Sequence, residues 1–128
     1  MANILVVDDS MTIRKVLQSI LEPEGHQVSE AADGVEGLAK FKENNNFSLI
    51  LTDVNMPNMD GITMCEQLRL TEGGKKVPIF VISTEGNSDL KARAKAAGVL
   101  AWMTKPPQGD KIRDAIRIVL SRIGNQPK

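Results

Sequence analysis

The chain has one cysteine, one histidine, one tryptophan, no tyrosine and no net charge, because 16 lysines and arginines balance 16 aspartates and glutamates. Each scarcity closes a route. With no net field, no basic run and no aromatic stripe, nothing in the composition draws the chain toward nucleic acid or anionic lipid. The uninterrupted apolar stretches are far too short to span a bilayer, and the opening MANILVV lacks a charged leader and a small-residue cleavage site. A soluble, cytoplasmic protein is therefore expected. The lone Cys65 cannot pair within the chain, and its spacing with Ile62 and Leu68 suits one face of a helix, so it reads as a buried structural thiol. His26 falls in a loop after the first helix, a poor place for a phosphohistidine or a metal ligand. At 128 residues the chain suits a single domain, 1–128, large enough to bury a core without disulfide or metal staples.

What is present is a rhythm repeated five times: a short apolar run, a polar loop, then a segment of helical period. The runs predict strands at residues 4–7, 27–31, 49–53, 77–83 and 99–104. Helical stripes follow at Ile13, Val16, Leu17, Ile20 and Leu21, at Val35, Leu38 and Phe41, and at Ile62, Cys65 and Leu68. The last stripe is Ile112, Ile116, Val119, Leu120 and Ile123. The fourth helix, around SDLKARAKAA, offers mostly alanines and should adhere less firmly than its neighbours. Ser10 and Ser88 stand where N-caps belong, and Gly25 and Gly98 where helices stop. Strands alternating with helices imply parallel pairing through right-handed crossovers, a doubly wound α/β domain with helices on both faces of the sheet.

In such sheets sites form outside the carboxyl ends of the strands. The first strand ends in Asp8 and Asp9, the third in Asp53, the fourth in Ser83 followed by Thr84, and the fifth in Thr104 and Lys105. Singly each has a bland explanation, such as an acidic pair favouring a helix dipole or a solvated lysine. Together, at neighbouring strand ends, they line one shallow cleft. Three carboxylates about 5 Å apart repel by roughly 3 kcal/mol per pair at an effective dielectric of 20, so something positive should compensate. Oxygen ligands without histidine or thiol favour a hard, partly hydrated ion such as Mg²⁺ over zinc, and Lys105 can add a fixed charge opposite. A cation between carboxylates, flanked by an ammonium and a hydroxyl, suits a phosphoryl group carried by Asp53.

The acidic pair in VVDDS, the central LTDVNMPNMDG, the hydroxyl in VIST and the lysine in MTKPP, in this order over essentially the whole chain, resemble the receiver domain of two-component response regulators. The resemblance implies a flavodoxin-like, five-stranded sheet of order 2-1-3-4-5 with five helices. It implies that Asp53 is phosphorylated by a histidine kinase or a small acyl phosphate, and that Asp8, Asp9, Asp53 and the carbonyl of Asn55 bind Mg²⁺, with Mn²⁺ as an alternative. Lys105 and Ser83, with Thr84 next to it, would meet the phosphoryl group. Trp102 would be the aromatic that turns inward when the strand-four hydroxyl moves, against the plainer reading of a hydrophobic anchor on an edge strand. Pro106 implies a cis bond after Lys105, and Asn55 and Glu85 occupy positions that tune hydrolysis of the acyl phosphate.

The chain looks most similar to stand-alone chemotaxis regulators of the CheY type. That implies a chemotaxis histidine kinase upstream and the flagellar motor switch downstream, and admits a phosphatase as a further partner. A phosphorelay component or phosphate sink with another target is the alternative. Either way the protein is a phosphoacceptor switch rather than an enzyme. Pro107, where the family commonly has phenylalanine, and Thr84, where alanine is more usual, depart from the pattern beside the expected output face. Two other classes fit worse. A flavin protein of this fold needs a hydroxyl- and glycine-rich loop after strand one, where this chain is acidic. A dehalogenase-type phosphatase needs Asp-x-Asp there, not an adjacent pair.

Overall fold

A computed structural model of the protein describes residues 2–44, 46–84 and 86–124. The elements are β1 (Asn3–Val7), α1 (Met11–Leu21), a 3-10 turn (Glu22–Glu24), β2 (Gln27–Ala31), α2 (Gly34–Glu43), β3 (Leu49–Thr52), α3 (Gly61–Arg69), β4 (Ile79–Ser83), α4 (Ser88–Ala96), β5 (Ala101–Thr104) and α5 (Gly109–Gly124). All strand pairs are parallel and the order is β2-β1-β3-β4-β5, the expected doubly wound, flavodoxin-like arrangement.

Alternation along the strands sorts the core into two faces. Ile4, Val6, Leu49, Leu51, Phe80 and Ile82 pack under Leu17 and Leu21 of α1 and Ile112 and Ile116 of α5. Leu5, Val7, Ile50 and Ile79 meet Phe41 of α2 and Met64, Cys65 and Leu68 of α3 on the other side. Both sheet faces are covered, so the central strands β1, β3 and β4 are almost wholly apolar and buried. Cys65 lies in that core, fully buried, and burial pushes its thiol up to about 12.

Several expectations shift. The β4 ladder begins two residues later than the apolar run at 77, because Pro78 has no N–H to give, and the β5 ladder two residues later than the run at 99, where Val99 N donates to Ala94 O at the end of α4. The Pro78 carbonyl still accepts from Ile50 N, and Leu100 N reaches Ile79 O, so the runs feed the sheet without being strand. Asp53 likewise leaves β3 at its end, although its N–H still donates to Val7 O at 2.9 Å. At α4 the cap is Asn87, whose side chain accepts from Leu90 N at 2.8 Å, and Ser88 is the first helical residue. Ser10 caps α1 as expected, accepting from Ile13 N. Val16 and Val35 are exposed, at 37% and 49%, because α1 turns Leu17 and Leu21 inward while α2 presents Gly34, Gly37 and Phe41. The side chain of Ile123 lies outside the described residues.

The weakness expected of α4 is present: Ala94 is its one buried residue, and Leu90 only partly joins the small cluster of Val54, Ile62 and Val81. Little apolar area holds this helix down. Amides of α4 should therefore exchange with deuterium sooner than those of α1 and α3. In urea unfolding, Phe80→Ala should cost roughly 3–5 kcal/mol and Leu90→Ala only about 1 kcal/mol.

Candidate functional site

β1, β3, β4 and β5 end side by side, and the parallel register fixes what meets there. Val7 pairs with Thr52, Thr52 with Val81, and Ser83 with Thr104, so the residues just beyond these pairs share one cleft. Asp8 and Asp53 are buried, Asp9 is exposed, and ligand atoms from all three carboxylates lie within 4.8 Å of one another. Lys105, entering from the end of β5, places its Nζ 2.9 Å from Asp8 Oδ2 and 2.9 Å from Asp53 Oδ2. The Lys105–Pro106 bond that follows is cis.

Each buried carboxylate has a second donor. Ser10 N donates to Asp8 Oδ1 at 2.8 Å, and Val54 N to Asp53 Oδ1 at 2.7 Å. Burial raises the pKa of Asp8, against the pull of Ser10 and Lys105 in the other direction. Burial also works against the charge on Lys105, but its hydrogen bonds to Asp53 and Asp8 prevail and raise its pKa. The lysine therefore stays an ammonium. It cannot offset all three acids, and a surplus of negative charge is left at the open side where Asp9 sits.

Ser83 is fully buried at the end of β4, and Lys105 N donates to its carbonyl at 3.2 Å. Thr84 and Asn55 are exposed. Trp102 lies half-buried against the cluster of Val54, Ile62, Val81 and Ala94, with Lys91 Nζ 5.8 Å from its ring centroid. It thus fills the seam between β5 and the loosely held α4. Glu85 lies outside the described residues.

Three contributors, Thr52, Arg14 and Glu30, were not singled out in the sequence. Thr52 Oγ1 donates to Asp53 O at 2.8 Å, and Gly61 N donates to Val54 O. A Cβ at Gly61 would sit 1.8 Å from Asp53 O, so α3 can start this close to the acid only with glycine there. Arg14 of α1 bonds to both Asp8 O and Glu30, the penultimate residue of β2. Only the β1–β2 register, which sets Val6 opposite Glu30, brings that pair to the site.

The donor chemistry fits a divalent cation: three carboxylates converge, two held rigidly and one open to water, with no histidine or thiol in the group. Residues 4–117 match the family described as the response regulator receiver domain. Over 118 residues the chain is 35% identical to chemotaxis protein CheY1 of Helicobacter pylori, covering 91% of this chain and 95% of that protein. The solved structure of Vibrio cholerae CheY4 matches with a TM-score of 0.86 and 36% identity over 93% of this chain and 98% of that one. A chain of the CheX–CheY–BeF3–Mg²⁺ complex from Borrelia burgdorferi matches with a TM-score of 0.86 and 30% identity, over 93% and 89% of the two chains. The chain belongs to the response regulator receiver domain family. Within that family it is of the CheY type, a class of signalling switch proteins.

The raised pKa of Asp8 fixes the sign of one pH effect. Its contribution to stability is whole below the ordinary value of 3.8 and is lost as pH rises through the higher folded value. Asp8→Asn should therefore be more stable than the parent at pH 7 in chelator-treated buffer. The gain should fade as the pH falls toward 4, read by urea unfolding at each pH.

Proposed function

We propose that the chain is a phosphorylation switch: Asp53 accepts a phosphoryl group from a chemotaxis-type histidine kinase, and acceptance raises affinity for a protein target, the flagellar motor switch. The observation that carries this reading is the placement of Lys105 Nζ within 2.9 Å of both Asp8 and Asp53, beside an acidic cluster with charge to spare. In the transfer an Asp53 carboxylate oxygen bonds to phosphorus as the phosphorus–nitrogen bond of the donor histidine breaks, leaving its electron pair on the imidazole.

Asp8, Asp9 and Asp53, with the carbonyl of Asn55, would hold Mg²⁺ or Mn²⁺; when bound, such an ion neutralises charge on phosphoryl oxygens. Lys105 supplies a fixed positive charge from the β5 side. Val54 N–H, by holding one Asp53 oxygen, keeps the carboxylate from rotating. Ser83, with Thr84 beside it, responds to the new group, and Trp102 passes the change to the α4–β5 face. Asn55 and Glu85 tune loss of the phosphoryl group. The protein acts as an acceptor and switch rather than by turnover on a substrate. The CheX complex of the Borrelia burgdorferi relative supports a second kind of protein partner besides the kinase and the motor switch.

A switch of this kind needs a coupling of about 1–3 kcal/mol, equivalent to roughly 5- to 150-fold in affinity. Binding of the N-terminal peptide of a flagellar switch protein, followed by Trp102 fluorescence, should tighten by at least about fivefold when Mg²⁺ and beryllofluoride are added together. A fluorescence change without tighter peptide binding would move the output to another target or a phosphate-sink role. No response of either kind would contradict the switch.

A further inference from the structure

Asp8 is anchored at every polar atom. Its N–H donates to Ala31 O at 3.0 Å, Oδ1 accepts from Ser10 N, and Oδ2 accepts from Lys105. Its carbonyl oxygen accepts from Arg14 Nη1 at 2.5 Å. That carbonyl belongs to the peptide joining Asp8 to Asp9, and Asp9 is exposed. The plane of this peptide decides where the Asp9 carboxylate starts from.

Arg14 does not reach the carbonyl unaided. Its Nε donates to Glu30 Oε1 at 3.0 Å, and its side chain is only 15% exposed. Glu30 is itself fixed: Lys15 Nζ stands 3.4 Å from its other carboxylate oxygen, and Lys40 of α2 donates to its backbone carbonyl. A chain of contacts thus runs from α2 through the end of β2 and the guanidinium of α1 to the peptide between the two acids. Planar guanidinium donors can hold two acceptors at a set angle, which a lysine ammonium cannot do.

We propose that Arg14, oriented by Glu30, is a positioning residue that fixes the Asp8–Asp9 peptide and thereby sets the affinity of the acidic cluster for a divalent cation. The inference rests on the reading of that cluster as a cation site. Partners outside the ligand set commonly hold metal ligands in place, and losing one typically costs about 10- to 100-fold in affinity. Charge alone predicts the reverse. Arg14 is a cation beside a cation site, so on Coulomb grounds its removal should tighten binding of Mg²⁺.

The opposite signs make the test decisive. Mg²⁺ binding to the full chain is measured by calorimetry for the parent, Arg14→Met and Arg14→Lys, with circular dichroism establishing that each is folded. Arg14→Met should bind about tenfold more weakly. Arg14→Lys, which keeps the charge and loses the fork, should fall between it and the parent. Val119→Ala, a destabilising change in α5 away from the cleft, should leave the affinity unchanged and so separate positioning from general loss of stability. Unchanged affinity in Arg14→Lys, or unchanged or tighter binding in Arg14→Met, would overturn the inference alone. Absence of Mg²⁺ binding in the parent would instead overturn the reading of the site. If Arg14→Met does not fold, the comparison of Arg14→Lys with the parent decides the matter.

Discussion

One ammonium between two buried carboxylates is the constraint around which the rest of this protein is arranged. Asp8 and Asp53 sit in the top layer of an apolar core, where ionised groups are costly unless paired and hydrogen-bonded. Lys105 pairs with both at 2.9 Å. Backbone N–H groups from Ser10 and Val54 hold the remaining oxygens. The arrangement is stable enough to persist and too acidic to be complete, because Asp9 adds a third carboxylate while, among the described residues, Lys105 is the cation ion-paired with the cluster. A site left short of positive charge is disposed to take up a cation, and with it an anionic phosphoryl group.

The same constraint explains where rigidity and looseness fall. β1, β3 and β4 are buried on both faces, so Asp53 and its neighbours stand on the firmest part of the fold. α4 is held less tightly, through Ala94 and part of Leu90, and Trp102 of β5 packs half-buried against the same small cluster. A change at Ser83 or Lys105 therefore meets little resistance in that direction. An elastic element next to a rigid charge cluster is what a two-state response requires.

Much of this was legible in the sequence, for identifiable reasons. Five apolar runs with intervening helical stripes dictate a doubly wound sheet, and such a sheet delivers Asp8, Asp53, Ser83 and Lys105 to one edge. Strand ends were less legible. Pro78 delays β4 by removing a donor, and α4 begins at Ser88 because Asn87, one residue earlier, takes the capping bond from Leu90 N. The exposure of Val35 was hidden too, since a helical stripe does not reveal that α2 approaches the sheet through glycines and Phe41. Arg14 and Glu30 were the least visible. They are 16 residues apart, and only strand register brings them together at the Asp8 carbonyl.

The central claim is that Asp53 is the acceptor and that the acidic cluster serves it. Intact-mass analysis after incubation with acetyl phosphate and Mg²⁺ tests this most directly. The account predicts a gain of one phosphoryl group that is lost on adding a chelator beforehand and absent in Asp53→Asn. An equal gain in Asp53→Asn, or none in the parent, would contradict it.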